Sequence, residues 1–582
     1  ADFFQGGETL VSNRISYYES LYPNQADDPY WTNYLFTSPV SGVPVGGAVS
    51  TWVGKVATNP FALSPGLLPG SYVYSSIYRI AANAQSNNSP TGLTTAVWQD
   101  VALEYLPVFN FAIFYNGTLE FSDTAPLIVN GPVHGNTNID VGTTSFSHLT
   151  FNGFVTAGGI ITNPSAIGIS QTNWVATNTT FNGLPVPGYA TGQPSITLPI
   201  GTNSLDPNSV REIINPPIPG ESVTNPIAAQ RYYNKADLII VITNAVVGTN
   251  LITNSISALT TNAVTVYVNN SMFDSSPLIF AVTNGLTGGT NNGIDDGAAW
   301  ANWSEVGFTN WLSFTNEFFD QRQQSSNHVV QIDVGKLGVW IGTSIDGCTN
   351  AYLTSKWNRT TPFNGIVYIQ DLRITNTNWM NCVRLVDGKN ITNGLYQTGL
   401  TLATQNPLYI MGNYNCPTLT NVLSTNTIGC RPCSVICDAL TILSPDWTNQ
   451  GINNYDAISM NSFTTRPAAD DTVNTAIIAG NVPTTDTTAT GFSGGVHNLP
   501  RMLEDWTGNN LWLNTSIICL YPSVQASQQF QLPGNYYDPP TRHISFDLNF
   551  LNPATLPPGT PMQTFVERLD RLTPSPSANP SQ

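Results

Sequence analysis

Charge is what this chain has least of. Only 9% of its 582 residues are Asp, Glu, Lys or Arg, against about 25% in ordinary soluble domains. The few charges are mostly acidic: 36 Asp and Glu face 19 Lys and Arg, for a net charge of −17. That balance excludes nucleic acid as a partner, because phosphates need a basic footprint, and it disfavours an anionic membrane surface. No run of ~20 apolar residues is present, so the sequence contains no membrane-spanning helix. Phosphate cradles of the forms G-x-x-x-x-G-K-[ST], or G-x-G-x-x-G opening a helix, are absent. So are H-E-x-x-H and the kinase motif set. The first residues show no basic segment followed by an apolar one, so any export signal is expected to have been removed. A start at Ala1 rather than Met fits a processed chain.

With so few charges, Asn, Thr, Ser and Gln must supply most of the polar surface. Such a surface responds little to salt or pH, which suits a protein outside the cell, and an extracellular or cell-surface location is the expectation. The chain is no disordered polymer: 41% of residues are hydrophobic, with 13 Trp, 23 Tyr and 25 Phe, enough to bury a large core. Its length allows two to four domains.

The most informative stretch is 127–163, which reads as two lines of one repeat. Leu127 matches Leu149, Asn130-Gly131 matches Asn152-Gly153, Val133 matches Val155 and Ile139 matches Ile161. A constant offset of about 22 residues is a plausible length for one coil of a β-solenoid. Asn-Gly between short apolar runs is a turn, because both residues tolerate positive φ. A third echo is Phe363-Asn-Gly-Ile-Val-Tyr-Ile369. The fold expected is mostly β: a parallel, β-helix-like solenoid core, an inserted α+β module, and long loops rich in Asn, Thr and Pro.

Residues 1–35 carry an N-terminal helix at 8–22, where Leu10, Val11, Ile15, Tyr18 and Leu21 share a face. A mixed region follows at 36–126. In it Gly42 to Gly70 reads as irregular loops and short strands, Ser71 to Ala84 as a strand, Thr95 to Glu104 as a short helix, and Leu106 to Tyr115 as a buried strand. Residues 127–226 hold the first coils and a Pro-rich insertion, and 227–345 the α+β module. The main solenoid is expected at 346–530, with strands near 366–369, 382–386, 400–403, 408–411, 435–443, 476–479 and 512–520. Asn498 to Trp506 reads as its capping helix, with Asn at the N-cap, Pro near N1, and Leu499, Met502, Leu503 and Trp506 on one face. Residues 531–582 form an extended segment and a Pro/Ser tail.

Seven cysteines leave at least one thiol unpaired in a monomer. Cys416, Cys430, Cys433 and Cys437 are spaced C-x13-C-x2-C-x3-C. A zinc or iron–sulfur site is one reading. A disulfide drawn from Cys416, Cys430 and Cys433 and pinning the loop 416–433, with Cys437 buried in the strand Ser434 to Leu443, is the reading preferred, since an acidic, charge-poor exported chain is where disulfides persist. No metal or cofactor is assigned.

Other candidate sites carry bland alternatives. Gly491-Phe-Ser-Gly-Gly495 matches G-x-S-x-G around Ser493, but the polar Thr-rich segment before it is no buried strand. His134 and His148 form a metal pair only if neighbouring coils bring them together. Asp295-Asp296 fits an acidic turn better than a calcium loop. Trp300, Trp303 and Trp311 fit core packing better than a sugar platform. Parallel solenoids often carry sugar-cleaving carboxylate pairs, and Asp438, Glu504 and Asp505 are the acids singled out. Asp438 reads as mid-strand between apolar residues, either a functional carboxylate or a hydrogen-bonded buried one. No active-site cluster assembles from them, so no catalytic residue is assigned and the chain is read as a non-enzyme.

Several stretches together resemble large bacterial surface proteins of type IV pilus-like systems, the PilX-type minor pilins and pseudopilin-like proteins. They are Phe109-Asn-Phe-Ala-Ile-Phe-Tyr-Asn-Gly117, Asn130-Gly-Pro-Val-His134, Arg231-Tyr-Tyr-Asn-Lys-Ala-Asp-Leu238, Gly399-Leu-Thr-Leu-Ala-Thr-Gln-Asn-Pro-Leu-Tyr409, Gly494-Gly-Val-His-Asn-Leu-Pro-Arg501 and Tyr536-Tyr-Asp-Pro-Pro-Thr-Arg542. The long apolar prepilin helix is missing from the pattern. The resemblance implies a filament subunit, tip component or adhesin that associates with itself or with pilin-like subunits, and transfers no functional residues. A secreted carbohydrate-active enzyme and a passive glycan-binding adhesin are the alternatives.

Overall fold

A computed structural model of the chain describes residues 35–37, 44–63, 72–86, 94–121, 127–141, 148–162, 178–198, 205–222, 225–249, 258–268, 271–273, 311–342, 362–391, 398–448, 454–485, 495–530 and 534–572. The helix expected at 8–22, Asp295-Asp296, Trp300, Trp303, Ser493, Cys348 and the tail after 572 lie outside them. The chain divides into two compact units.

The smaller unit is one antiparallel sheet in the order Leu35–Thr37, Pro44–Leu63, Tyr72–Ser86, Thr94–Pro107, Met562–Leu572. Tyr78, Val101, Leu103 and Tyr105 pack as its core. Two expectations are corrected here. Thr95 to Glu104 is strand, paired with Tyr72–Ser86. Val97 and Val101 are four apart, which is one helical turn but also an even number, so the same pair shares a face of a strand. Gly42 to Gly70 is mostly one 20-residue strand. Its register slips at three places, one between Asn59 and Ala62, so the ladder steps past Pro60, which has no N–H to give.

The larger unit is built from stacked parallel strands. One sheet has twelve, in the order Tyr189–Ala190, Val155–Ala157, Val133–Gly135, Ile113–Tyr115, Ile517–Cys519, Ala476–Ala479, Cys433–Cys437, Leu400–Thr404, Ile366–Asp371, Leu238–Thr249, Ala258–Val268, Ser271–Phe273. The first ten run parallel to their neighbours and the last two pair antiparallel. Chain order and spatial order differ. The chain enters at Ile113, steps outward to Tyr189, reappears at Leu238, and returns strand by strand until Ile517 pairs with Ile113.

The repeat at 127–163 is observed residue by residue. Leu127 pairs with Leu149, Val133 with Val155 and Ile139 with Ile161, all in parallel register. Asn152 Nδ2 donates to Asn130 Oδ1 at 2.8 Å, and Asn182 Nδ2 donates to Asn152 Oδ1 at 3.1 Å. The third rung, Asn182-Gly183, was hidden because its offset is 30 rather than 22. The glycines have a steric cause: a Cβ on Gly153 would fall on the Gly131 carbonyl, and one on Gly183 on the Gly153 carbonyl. Inside the stack Leu119, Val129, Val133, Ile139, Leu149, Phe151 and Val155 are fully buried, each contributing roughly 1.5–3 kcal/mol.

The strands expected beyond 360 are present, and the two longest runs each break at a corner. Cys433–Cys437 and Leu440–Leu443 flank Asp438, which is therefore a corner residue and not mid-strand. Asn510–Thr515 and Ile517–Cys519 flank Ser516. Leu238–Thr249 joins the twelve-stranded sheet, and Ser325–Asp333 pairs parallel with Trp379–Val386 in a second, five-stranded sheet.

The capping helix at 498–506 is not formed. Only Gly495–Asn498 makes a short 3-10 turn, and Arg501 to Trp506 is irregular, with isolated bridges at Arg501 and Asp505. Its backbone is taken by neighbours: Arg501 N donates to Leu440 O, Asp505 N to Arg466 O, and Trp506 N to Asp538 O. Leu499, Met502, Leu503 and Trp506 are buried as the pattern required, but around an irregular segment.

Candidate functional site

The acids chosen from sequence turn out to be structural. Asp438 is fully buried and accepts from the amides of Val524 at 2.7 Å, Gln525 at 3.1 Å and Ala526 at 2.9 Å, and it pairs with Arg211 at 2.7 Å. Every lone pair is engaged, so it fixes a corner and has nothing left for a substrate. Glu504 is fully buried against Ser444, whose N–H and Oγ both donate to it, and burial pushes its pKa up to about 8. Asp505 accepts from Thr507 N. The three do not converge.

The histidine pair does not form either. His134 is buried with both ring nitrogens occupied, Nδ1 by Thr156 Oγ1 at 2.8 Å and Nε2 by Asn136 Oδ1 at 3.0 Å. Burial lowers its pKa to about 4, so it is neutral and structural. His148 is exposed. Among the described residues no group of three or more His, Cys, Asp or Glu side chains is placed to hold a metal. The described cysteines, among them Cys416, Cys430 and Cys433, are free thiols.

Two other carboxylates do come together. Leu119–Phe121 and Ile139–Val141 pair in parallel, which sets Glu120 directly beside Asp140. Alternation turns Leu119, Phe121 and Ile139 into the core, and so turns both acids to the opposite face. That face is roofed by 481–484 and 495–498: Asn481 Nδ2 donates to Gly495 O, and Thr484 Oγ1 donates to Glu120 Oε2 at 2.7 Å. The roof makes Glu120 and Asp140 only 6% and 4% exposed. They line a cleft of about 550 Å³ together with Tyr115, Asn138, Thr162 and Asn208.

The electrostatics follow from that placement. Burial, and secondarily the Glu120 charge, push the Asp140 pKa up to about 6. Two buried carboxylates on adjacent strands resist ionising together. Below about pH 6, with Asp140 protonated, the pair offers a donor beside an acceptor, the chemistry of hydroxyl recognition and of general acid–base work on a glycosidic bond. Sequence inspection missed it. The signal was the pair of matched triplets Leu119-Glu-Phe121 and Ile139-Asp-Val141, acid between apolar residues, at an offset of 20 rather than 22.

No protein-family model matches the chain, and no curated protein matches it. Among solved structures, the competence-associated pilin ComZ from Thermus thermophilus is similar over 96% of this chain and 94% of its own, at 12% identity and a TM-score of 0.21. A score that low carries no argument about fold or role.

Proposed function

We propose that this chain is an extracellular structural protein, a subunit or tip component of a bacterial surface filament or adhesin, built on a parallel β-solenoid. The observation that carries the reading is the end of the stack. Among the described residues Tyr189–Ala190 and Thr179–Phe181 are the last strands of their sheets, and Leu184, Val186 and Tyr189 are 77%, 85% and 39% exposed. A terminal strand presents unpaired backbone groups in the register of the strand beneath it. A second copy of this chain, docking head to tail, satisfies those groups and propagates without closing. The scarcity of charge leaves little repulsion between copies. No helix among the described residues is long and apolar enough to cross a membrane. The test is sedimentation across a concentration series, together with immunolabelling of the cell surface. Assembly that is lost in Val186→Lys supports the reading. A protein that stays monomeric at high concentration, on cells with no fibre containing it, ends it.

A second reading rests on the Glu120–Asp140 cleft: a secreted carbohydrate-active enzyme, glycosidase or lyase, or an adhesin that binds glycan without turnover. Release of reducing ends from a polysaccharide panel, abolished by Asp140→Asn and Glu120→Gln, supports the enzyme. Glycan binding without release supports the adhesin, and neither on any polymer removes the cleft from consideration.

A further inference from the structure

Two thiols meet at one asparagine. Asn474, at the end of the strand Asp471–Asn474, directs its Nδ2 to Cys416 Sγ at 3.4 Å and to Cys430 Sγ at 3.5 Å. The backbone around them is clamped. Asn415 Nδ2 donates to Arg431 O at 2.8 Å, and Arg431 N donates to Asn415 Oδ1 at 3.1 Å. The residue before Cys416 therefore grips the residue after Cys430, and the two cysteines stand side by side where the loop 417–429 leaves and returns. The Cys430 thiol donates across this seam to Asn415 O at 3.0 Å. The loop is itself ordered: Asn421 Nδ2 donates to Asn426 O and Ile428 O, and Thr427 Oγ1 to Asp547 Oδ1. Cys433 is placed differently. It is 1% exposed and fixed in the long sheet opposite Leu400.

We propose that Cys416 and Cys430 are a redox site at which a disulfide closes the loop 417–429, formed by exchange with a small-molecule disulfide, with Cys433 outside it. The site is independent of the filament and glycan readings. Cys430, the more exposed of the two, reacts first. It gives up its proton and its sulfur bonds one sulfur of the oxidant, while the other sulfur leaves as a thiolate. Cys416 then loses its proton and attacks the Cys430 sulfur of that mixed disulfide, releasing the second thiolate. The protein pair loses two electrons, the oxidant gains them, and the two protons end on the two small thiols. The Asn474 amide donates to whichever protein sulfur carries negative charge during the exchange. Burial raises both thiols, Cys430 to about 12, so the exchange speeds up as pH rises.

The test uses the full reduced chain with oxidised glutathione at neutral pH and near pH 9. Acid quenching, N-ethylmaleimide labelling in denaturant and unreduced peptide mapping follow. No Lys or Arg lies between 390 and 430, so a protease cutting at Leu419 or Leu423 must separate the two cysteines. The expected result is loss of two labelled thiols, faster at the higher pH, and a cross-link joining Cys416 to Cys430. Cys433→Ser leaves that cross-link intact, and Cys416→Ser leaves Cys430 as a glutathione adduct. A cross-link through Cys433, or seven labelled thiols after exposure near pH 9, overturns the proposal. If Cys416→Ser fails to fold, the unaltered chain and Cys433→Ser decide it alone.

Discussion

Arg211 and Asp438 are joined by an ion pair of 2.7 Å in which Asp438 is wholly buried and Arg211 only 8% exposed. The pair ties the 3-10 turn Arg211–Ile213 to the corner between the strands Cys433–Cys437 and Leu440–Leu443. Arg211 also donates to the carbonyls of Pro522 and Gln405. Removing one partner leaves a buried charge uncompensated, which costs about 3–5 kcal/mol. Asp438→Asn is therefore expected to lower the denaturation midpoint by that order without altering any glycan activity. Adding Arg211→Met recovers part of the loss, because the two residues share one interaction. Calorimetry of the two single variants and the double variant measures it.

The Asp140 carboxyl titrates near 6 in the fold against 3.8 in the unfolded chain. A raised folded pKa contributes stability that is complete below 3.8 and is lost as pH rises through 6. A two-unit shift corresponds to a few kcal/mol at most. Asp140→Asn removes that loss, so the variant is expected to gain on the unaltered chain between pH 4 and pH 6 and to stay ahead above it. Denaturant midpoints across that range decide the matter; parallel pH curves for the two proteins would contradict the buried-pair geometry.

Gly153 sits where a Cβ would meet the carbonyl of Gly131, in the bend below between Leu127–Val129 and Val133–Gly135. Gly153→Ala must push the two bends apart, at a cost of about 1–3 kcal/mol. Gly117→Ala is the control: nothing lies within 4 Å of its added Cβ, and its effect is expected within about 0.5 kcal/mol. Equal midpoints for the two variants would show that the parallel strands are not in the stated register.

What the sequence made legible was the part of the fold that repeats. Leu127, Leu149, Val133 and Val155 are the same side chains doing the same job on neighbouring parallel strands, so pairing could be read as an offset. Where the repeat length changed, the signal faded: Asn182 lies 30 residues past Asn152 and Asp140 lies 20 past Glu120, and both were missed. Asn498 to Trp506 shows a different failure. Its apolar spacing was read correctly as burial and wrongly as helix, because backbone partners such as Leu440, Arg466 and Asp538 are distant in sequence and invisible to a local pattern. Asp438 was legible only to a choice. A lone acid among apolar residues is either functional or buried and hydrogen-bonded, and the fold decides for the second, with three amides and an arginine using it.

The pairing of Ile517–Cys519 with Ile113–Tyr115 has a consequence for how the chain is made. Asn116 and Leu520, which touch through a hydrogen bond, are 404 positions apart. During synthesis the strand at 113–115 emerges some 400 residues before the strand at 517–519 that covers one of its edges. Contacts so distant in sequence are slow to form and leave unpaired edges open to misassembly in the interval.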